Sequence, residues 1–176
     1  MKKIIVFAGS NSDKSINKEL AIYASSLVKN VESKILDLND FLLPIYGIDE
    51  EKEHGIPEKS QKFLELIKNT DGIILSLAEH NGNFSVAFKN IFDWMTRIEQ
   101  KLWHNKPMLL MATSPGGRGG ASVLSIAKNT FPHMGGNVVA DFSLPSFYDN
   151  FKQGSILNEE LKSKLEIAVS EFQKGL

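Results

Sequence analysis

The chain has 176 residues, enough for one domain with a sizeable hydrophobic core, and 20 Lys and Arg against 21 Asp and Glu leave a net charge of -1. Without a basic field to condense on phosphate backbones or anionic lipid, neither nucleic acid nor membrane is expected as a partner. The absence of cysteine excludes disulfides, thiolate metal sites, a cysteine nucleophile and thiolate-held iron–sulfur clusters, so redox chemistry would rest on a bound cofactor.

Strand and helix patterns alternate from end to end. Lys3 to Ala8 predicts a first strand. Its apolar part is too short for a secretory signal and is broken by Gly9-Ser10-Asn11-Ser12. No apolar run approaches the roughly 20 residues of a membrane span, and the expected compartment is the cytoplasm. Ile16, Leu20, Tyr23, Leu27 and Val28 recur at helical spacing over Ser15 to Asn30. Ser33 to Leu38 predicts a second strand, and Asn39 to Gly55, with Pro44, Gly47 and Asp49-Glu50-Glu51-Lys52-Glu53, predicts a solvated loop.

Pro57 suits the first turn of a helix, where its missing N–H is not needed, with Phe63, Leu66 and Ile67 inward. The apolar run Gly72 to Ala78 predicts a fully buried third strand. Ser85 to Trp103 predicts a long helix carrying Phe88, Ile91, Phe92, Met95, Ile98 and Leu102 on one broad face. A fourth strand over Pro107 to Ala112 leads to a helix from Gly120 to Phe131, closed by Gly135-Gly136. Val138, Ala140 and Phe142 alternate along a fifth strand, and Leu144 to Gly154 is irregular and aromatic. Asn158 caps a last helix, with Glu159 and Glu160 in its first turn and Leu161, Leu165, Ala168 and Phe172 inward.

This alternation predicts an α/β three-layer sandwich, a parallel sheet with helices on both faces. Five strands favour the flavodoxin-like order 2-1-3-4-5, formed as a single domain over residues 1–176. In such a sheet the ligand crevice lies outside the carboxyl ends of the strands. Three loops rich in small residues and donors have that address: Gly9 to Asn17, Glu79 to Phe84, and Thr113 to Gly120.

The first loop offers Ser10, Ser12, Ser15 and Asn17 just before a helix, where hydroxyls, backbone N–H groups and the helix dipole favour a phosphate. An ordinary strand-to-helix turn capped by Ser15 is the competing explanation. The second supplies Glu79, His80, Asn81 and Gly82, and the third has glycines at 116, 117, 119 and 120 around Arg118. Neither G-x-G-x-x-G nor G-x-x-x-x-G-K-[ST] occurs, and no G-x-S-x-G elbow is present. Familiar dinucleotide and nucleoside-triphosphate modes and the common α/β hydrolase are thereby disfavoured. No histidine pair has metal-ligand spacing.

Taken together, the three loops resemble the signatures of the NADPH-dependent FMN reductase family. G-S-x-R-x-x-S-x-N-x-x-L-A is matched by Gly9 to Ala21. P-E-Y-N-x-S-x-P-x-x-L-K-N-x-x-D-W is matched by Ala78 to Trp94, and S-x-G-x-x-G-G by Ser114 to Gly120. The resemblance implies FMN and NAD(P)H as cofactors, with the FMN phosphate on Ser10, Ser12, Ser15 and Asn17 and with Ile16 also among the cofactor-binding residues. It implies an isoalloxazine ring along Glu79, His80, Asn81 and Gly82 and against Ser114, Gly116, Gly117 and Arg118. Two positions depart from the signature: Ser12 replaces its arginine and His80 its tyrosine, with Lys14 available to restore part of the lost charge.

The implied activity is hydride transfer from a nicotinamide through FMN to a small acceptor such as a quinone, an azo compound or free flavin. No obligate catalytic acid or base is implied. A non-enzymatic FMN electron carrier or sensor remains open beside it. The family assembles as dimers or tetramers, and Phe88, Phe92, Trp94, Met95 and Trp103 make the long helix apolar enough for an interface, unless a thick internal core claims them.

Overall fold

The computed structural model describes all residues 1–176. Its elements run β1 (Lys2–Gly9), α1 (Ile16–Ser26), β2 (Val31–Leu36), α2 (Ile48–His54), α3 (Glu58–Lys68), β3 (Gly72–Leu77), β4 (Glu79–His80), β5 (Asn83–Phe84) and α4 (Val86–Ile98). They continue with β6 (Pro107–Thr113), α5 (Ala121–Thr130), β7 (Asn137–Leu144), α6 (Phe147–Asn150), β8 (Phe151–Lys152), β9 (Ser155–Ile156) and α7 (Glu159–Gly175). Five parallel strands form the sheet in the order β2-β1-β3-β6-β7. Counting sheet strands alone, this is the flavodoxin-like order 2-1-3-4-5 expected from the alternation.

Successive side chains of a strand point to opposite faces, and the central strands are apolar on both. Ile5, Phe7, Ile73, Leu75, Met108 and Leu110 meet α3, α4 and α5 through Phe63, Phe88, Phe92 and Leu124. Ile4, Val6, Ile74, Leu109 and Met111 meet α1 and α7 through Leu20, Ala24, Leu165, Ala168 and Phe172. Each fully buried Leu, Ile or Phe contributes roughly 1.5–3 kcal/mol relative to exposure, so the middle of the sheet is a rigid platform and its carboxyl ends inherit that rigidity.

Several boundaries differ from expectation for local reasons. β2 starts and ends two residues earlier than predicted, because Asp37 turns the chain: its carboxylate accepts from the Asn39 N–H and caps a 3-10 turn at Leu38–Phe41. The charged stretch Asp49 to Glu53 is helical, not loop. Its acidic residues occupy the first turn of α2, where the dipole favours them, and Glu51 is bonded by Arg97 of α4. The Arg97 guanidinium holds the Glu51 carboxyl below the usual range.

The long helix ends at Ile98, since Glu99 leaves helical geometry at φ -152°, and Leu102 and Trp103 are buried from turns beyond it. Trp94, Phe88, Phe92, Met95 and Trp103 are all buried within the chain, which removes them as an interface. Phe131 gathers Phe88, Phe92 and Trp103, its ring 4.7 Å from Trp103 and 5.5 Å from Phe92, while Trp94 packs edge-on against Tyr46 at 5.0 Å. The aromatic stretch after Leu144 is likewise ordered into α6 and the β8–β9 hairpin, with Phe147 stacked on Phe151 at 4.9 Å.

Candidate functional site

The loop after β1 is gripped at its root. Ser85, the N-cap of α4, accepts from the Phe88 N–H and donates its hydroxyl to the Gly9 carbonyl at 2.7 Å. A Cβ on Gly9 would come within 2.9 Å of the end of the Leu77 side chain and 3.3 Å of the Phe88 ring, so a side chain there would require both to shift. Farther along, the Ser12 N–H donates to the Ser10 hydroxyl, and Ser15 caps α1 by accepting from the Lys18 N–H.

Asn17 ties the loops together. Its Oδ1 accepts from the Thr113 N–H at 3.0 Å and the Ser76 hydroxyl at 2.7 Å, and its Nδ2 donates to the Thr113 carbonyl at 3.1 Å. All three residues are buried. One side chain thus fixes the start of α1 to the carboxyl ends of β3 and β6. Its oxygen is fully engaged in that clamp rather than turned outward.

The second loop is a two-residue hairpin joining β4 and β5. Asn81 and Gly82 both have positive φ, 53° and 75°, as a primed turn demands. Phe84 anchors the hairpin, stacked 6.0 Å from Phe131. Glu79 anchors it a second time, its Oε2 accepting from the Val123 N–H at 3.0 Å in the first turn of α5. A carboxylate there satisfies an orphan donor and meets the positive end of the helix.

In the third loop, Gly119 and Gly120 are demanded by the chain itself. Both have positive φ, and a Cβ on Gly120 would lie 2.8 Å from Ala112. Gly116 and Gly117 are different: their φ is ordinary, and a Cβ on Gly117 would meet nothing within 4 Å. Nothing in the fold requires glycine at Gly117. The loop is held against the α6 segment by the Ser146 and Phe147 N–H groups, which donate to Gly116 and Ser114.

Ser10, Ser12, Ser15, Ile16, Asn17, Glu79, His80 and Ser114 line one cleft of about 200 Å³ at the carboxyl ends of β1, β3 and β6. Lys14, Ala78, Thr113, Pro115 and Tyr148 complete it. Tyr148 was not singled out as a site residue, since it arrives from the α6 turn and no local motif marks it. Asn81 and Gly82 form the hairpin tip outside this lining, and Gly116 is also outside it. Gly117 and Arg118 line a different and larger groove of about 630 Å³ between β7 and α7, and Arg118, in the loop before α5, donates to Ser122 in the first turn of that helix. Asp141, Lys164 and Glu171 of that groove are paired with Lys128, Glu160 and Lys174, whereas Arg118 has no carboxylate partner. An apolar hollow of about 230 Å³ adjoins the cleft through His80, with Leu42, Leu43, Ile45, Val86 and Ile91 in its lining.

The profile of a family described as NADPH-dependent FMN reductase matches residues 2–149. The chain belongs to this family. That makes it an NAD(P)H-dependent, FMN-using oxidoreductase and sets aside the non-enzymatic carrier. The chain is 26% identical to a 2-hydroxy-1,4-benzoquinone reductase of Burkholderia sp, over 97% of its own length and 93% of that protein. It is 33% identical to a quinone reductase of Pseudomonas putida over 66% of its length, a match that spans 62% of that protein. Among solved structures it is similar to FerB, a flavoenzyme NAD(P)H:(acceptor) oxidoreductase from Paracoccus denitrificans, with TM-score 0.78, 27% identity and 99% and 97% of the two chains covered.

Proposed function

We propose that FMN binds in the Ser10–Tyr148 cleft and that the protein uses it to reduce a small acceptor of the quinone, azo or free-flavin class at the expense of NAD(P)H. The supporting observation is the convergence of the Ser10, Ser12, Ser15 and Ser114 side chains and the N-terminus of α1 at one rim of the sheet. The donor set suits a phosphate at Ser10, Ser12, Ser15 and the N-terminus of α1. His80, Ser114, Pro115 and Tyr148 form the remaining wall, against which a flat group would lie. Similarity to the Burkholderia and Pseudomonas reductases supports the quinone class.

When bound, FMN supplies the chemistry of hydride acceptance and electron release. The chain binds and orients. Asn17 holds the phosphate loop in register with β3 and β6, and Glu79 and Phe84 keep the hairpin against α5. Tyr148 and His80 wall the cleft and restrict water. No side chain need exchange a proton with the substrate.

The same reading carries a single domain over residues 1–176, acting in the cytoplasm where reduced nicotinamide is supplied, and a homodimer or homotetramer. Leu42, Ile45 and Val86 are exposed at the hollow beside the cleft, and a second copy seated there would close the flavin site from outside. No helix is long and apolar enough to cross a membrane.

Addition of NADPH to the FMN-loaded protein without oxygen tests the proposal. Prompt loss of the yellow flavin absorbance, restored by a benzoquinone, is the expected result. An unchanged spectrum with both NADPH and NADH overturns it.

A further inference from the structure

We propose that Lys14 is the residue that recognises the FMN phosphate in this chain, supplying from a different loop position the charge that the family signature places at residue 12. The inference rests on the FMN reading above and specifies which group selects FMN over riboflavin. Ser12, at the signature's arginine position, offers only a neutral hydroxyl to the cleft. Lys14 lines the same cleft beside Ser10, Ser12 and Ser15.

The remaining cations nearby are committed elsewhere. Lys18, one turn into α1, is paired with Asp37, and Arg118 faces the β7–α7 groove and bonds Ser122. Lys14 itself has no ion-pair partner and is exposed, so no carboxylate competes for it. Asp13 does not line the cleft, and the Glu79 carboxylate is bonded to the Val123 N–H. A dianionic phosphate entering this cleft therefore meets the N-terminal dipole of α1, three hydroxyls and a single mobile ammonium. A lysine on a flexible stem acts as a point charge and tolerates a shift of position that a planar guanidinium fork would not.

The test is titration of the apo-protein with FMN and with riboflavin, followed by quenching of flavin fluorescence. Lys14→Gln is expected to raise the Kd for FMN about 10–100-fold, the span for loss of one charge-assisted contact. It should leave the Kd for riboflavin unchanged, whereas Lys14→Arg should preserve the preference for FMN. The wild-type preference should also shrink as salt is raised. Equal FMN affinity in wild type and Lys14→Gln, or parallel weakening of both flavins, overturns the role of Lys14 while leaving the FMN reading intact. Wild-type protein that binds riboflavin and FMN equally overturns phosphate recognition altogether, and failure to bind either overturns the cofactor site itself.

Discussion

Asn17→Ala removes the clamp between the phosphate loop and the sheet. Three hydrogen bonds disappear: from the Thr113 N–H, to the Thr113 carbonyl and from the Ser76 hydroxyl. Each is worth about 1 kcal/mol net, and the stranded partners are buried and out of reach of water, so the cost is about 3–5 kcal/mol. At roughly 2–4 °C per kcal/mol for a chain of this size, the apo-protein should melt about 10 °C lower. Ser76→Ala removes one donor and should cost about 1 kcal/mol. The double variant should fall short of the sum by a similar amount, because both substitutions delete the same bond. Thermal melts of the three variants, with FMN titrations on the same samples, measure both effects. If Asn17→Ala melts with the wild type, or if the two substitutions add fully, the side chain is not the clamp described.

Glu79→Ala should cost about 1 kcal/mol in denaturant unfolding by stripping a cap from α5, and Glu79→Gln, which keeps an acceptor oxygen, should cost less. Gly120→Ala should lose about 1–3 kcal/mol, since its φ of 74° and the 2.8 Å approach to Ala112 penalise a Cβ. Gly117→Ala, with nothing in contact range and a place in the β7–α7 groove, should melt like wild type and keep its FMN affinity; a loss of FMN affinity would show that the ligand reaches that groove. Asp37 is held below the usual carboxylate range by its Lys18 hydrogen bond, and Asp71 by the Lys3 backbone N–H. Because both folded values are depressed, their stabilisation is present above the unfolded pKa of about 3.9 and is lost as pH falls toward the folded values. Asp37→Asn/Asp71→Asn should therefore be less stable at neutral pH and show a flatter acid limb in melts taken from about pH 6 downward; a limb parallel to wild type contradicts this.

The sheet was legible because strands buried on both faces leave continuous apolar runs such as Met108 to Ala112, and amphipathic helices leave a periodic face. Loop positions were legible for the same reason, as each follows such a run. What local pattern did not reveal was partnership across long sequence gaps. Asn17 pairs with residues 59 and 96 positions away, and the bond between Glu79 and Val123 spans 44. Both residues line the cleft and their side chains also hold the loops together. Arg118 shares a glycine-rich ribbon with Ser114, yet the turn through Gly119 and Gly120 sends it toward α7. The Asn81-Gly82 pair is by contrast a local signal, since both residues accept the positive φ of the primed turn that joins β4 to β5. Helix α2 was hidden because its stability comes from first-turn acids and the Arg97 bond, not from an apolar stripe.

Backbone amide NMR during FMN titration locates the ligand most directly. Shifts confined to Ser10, Ser12, Ser15, His80, Ser114 and Tyr148, saturating at one FMN per chain, are the predicted result. Shifts centred on Leu161, Ile167 and Ala168 in the β7–α7 groove, with the three loops silent, would contradict it.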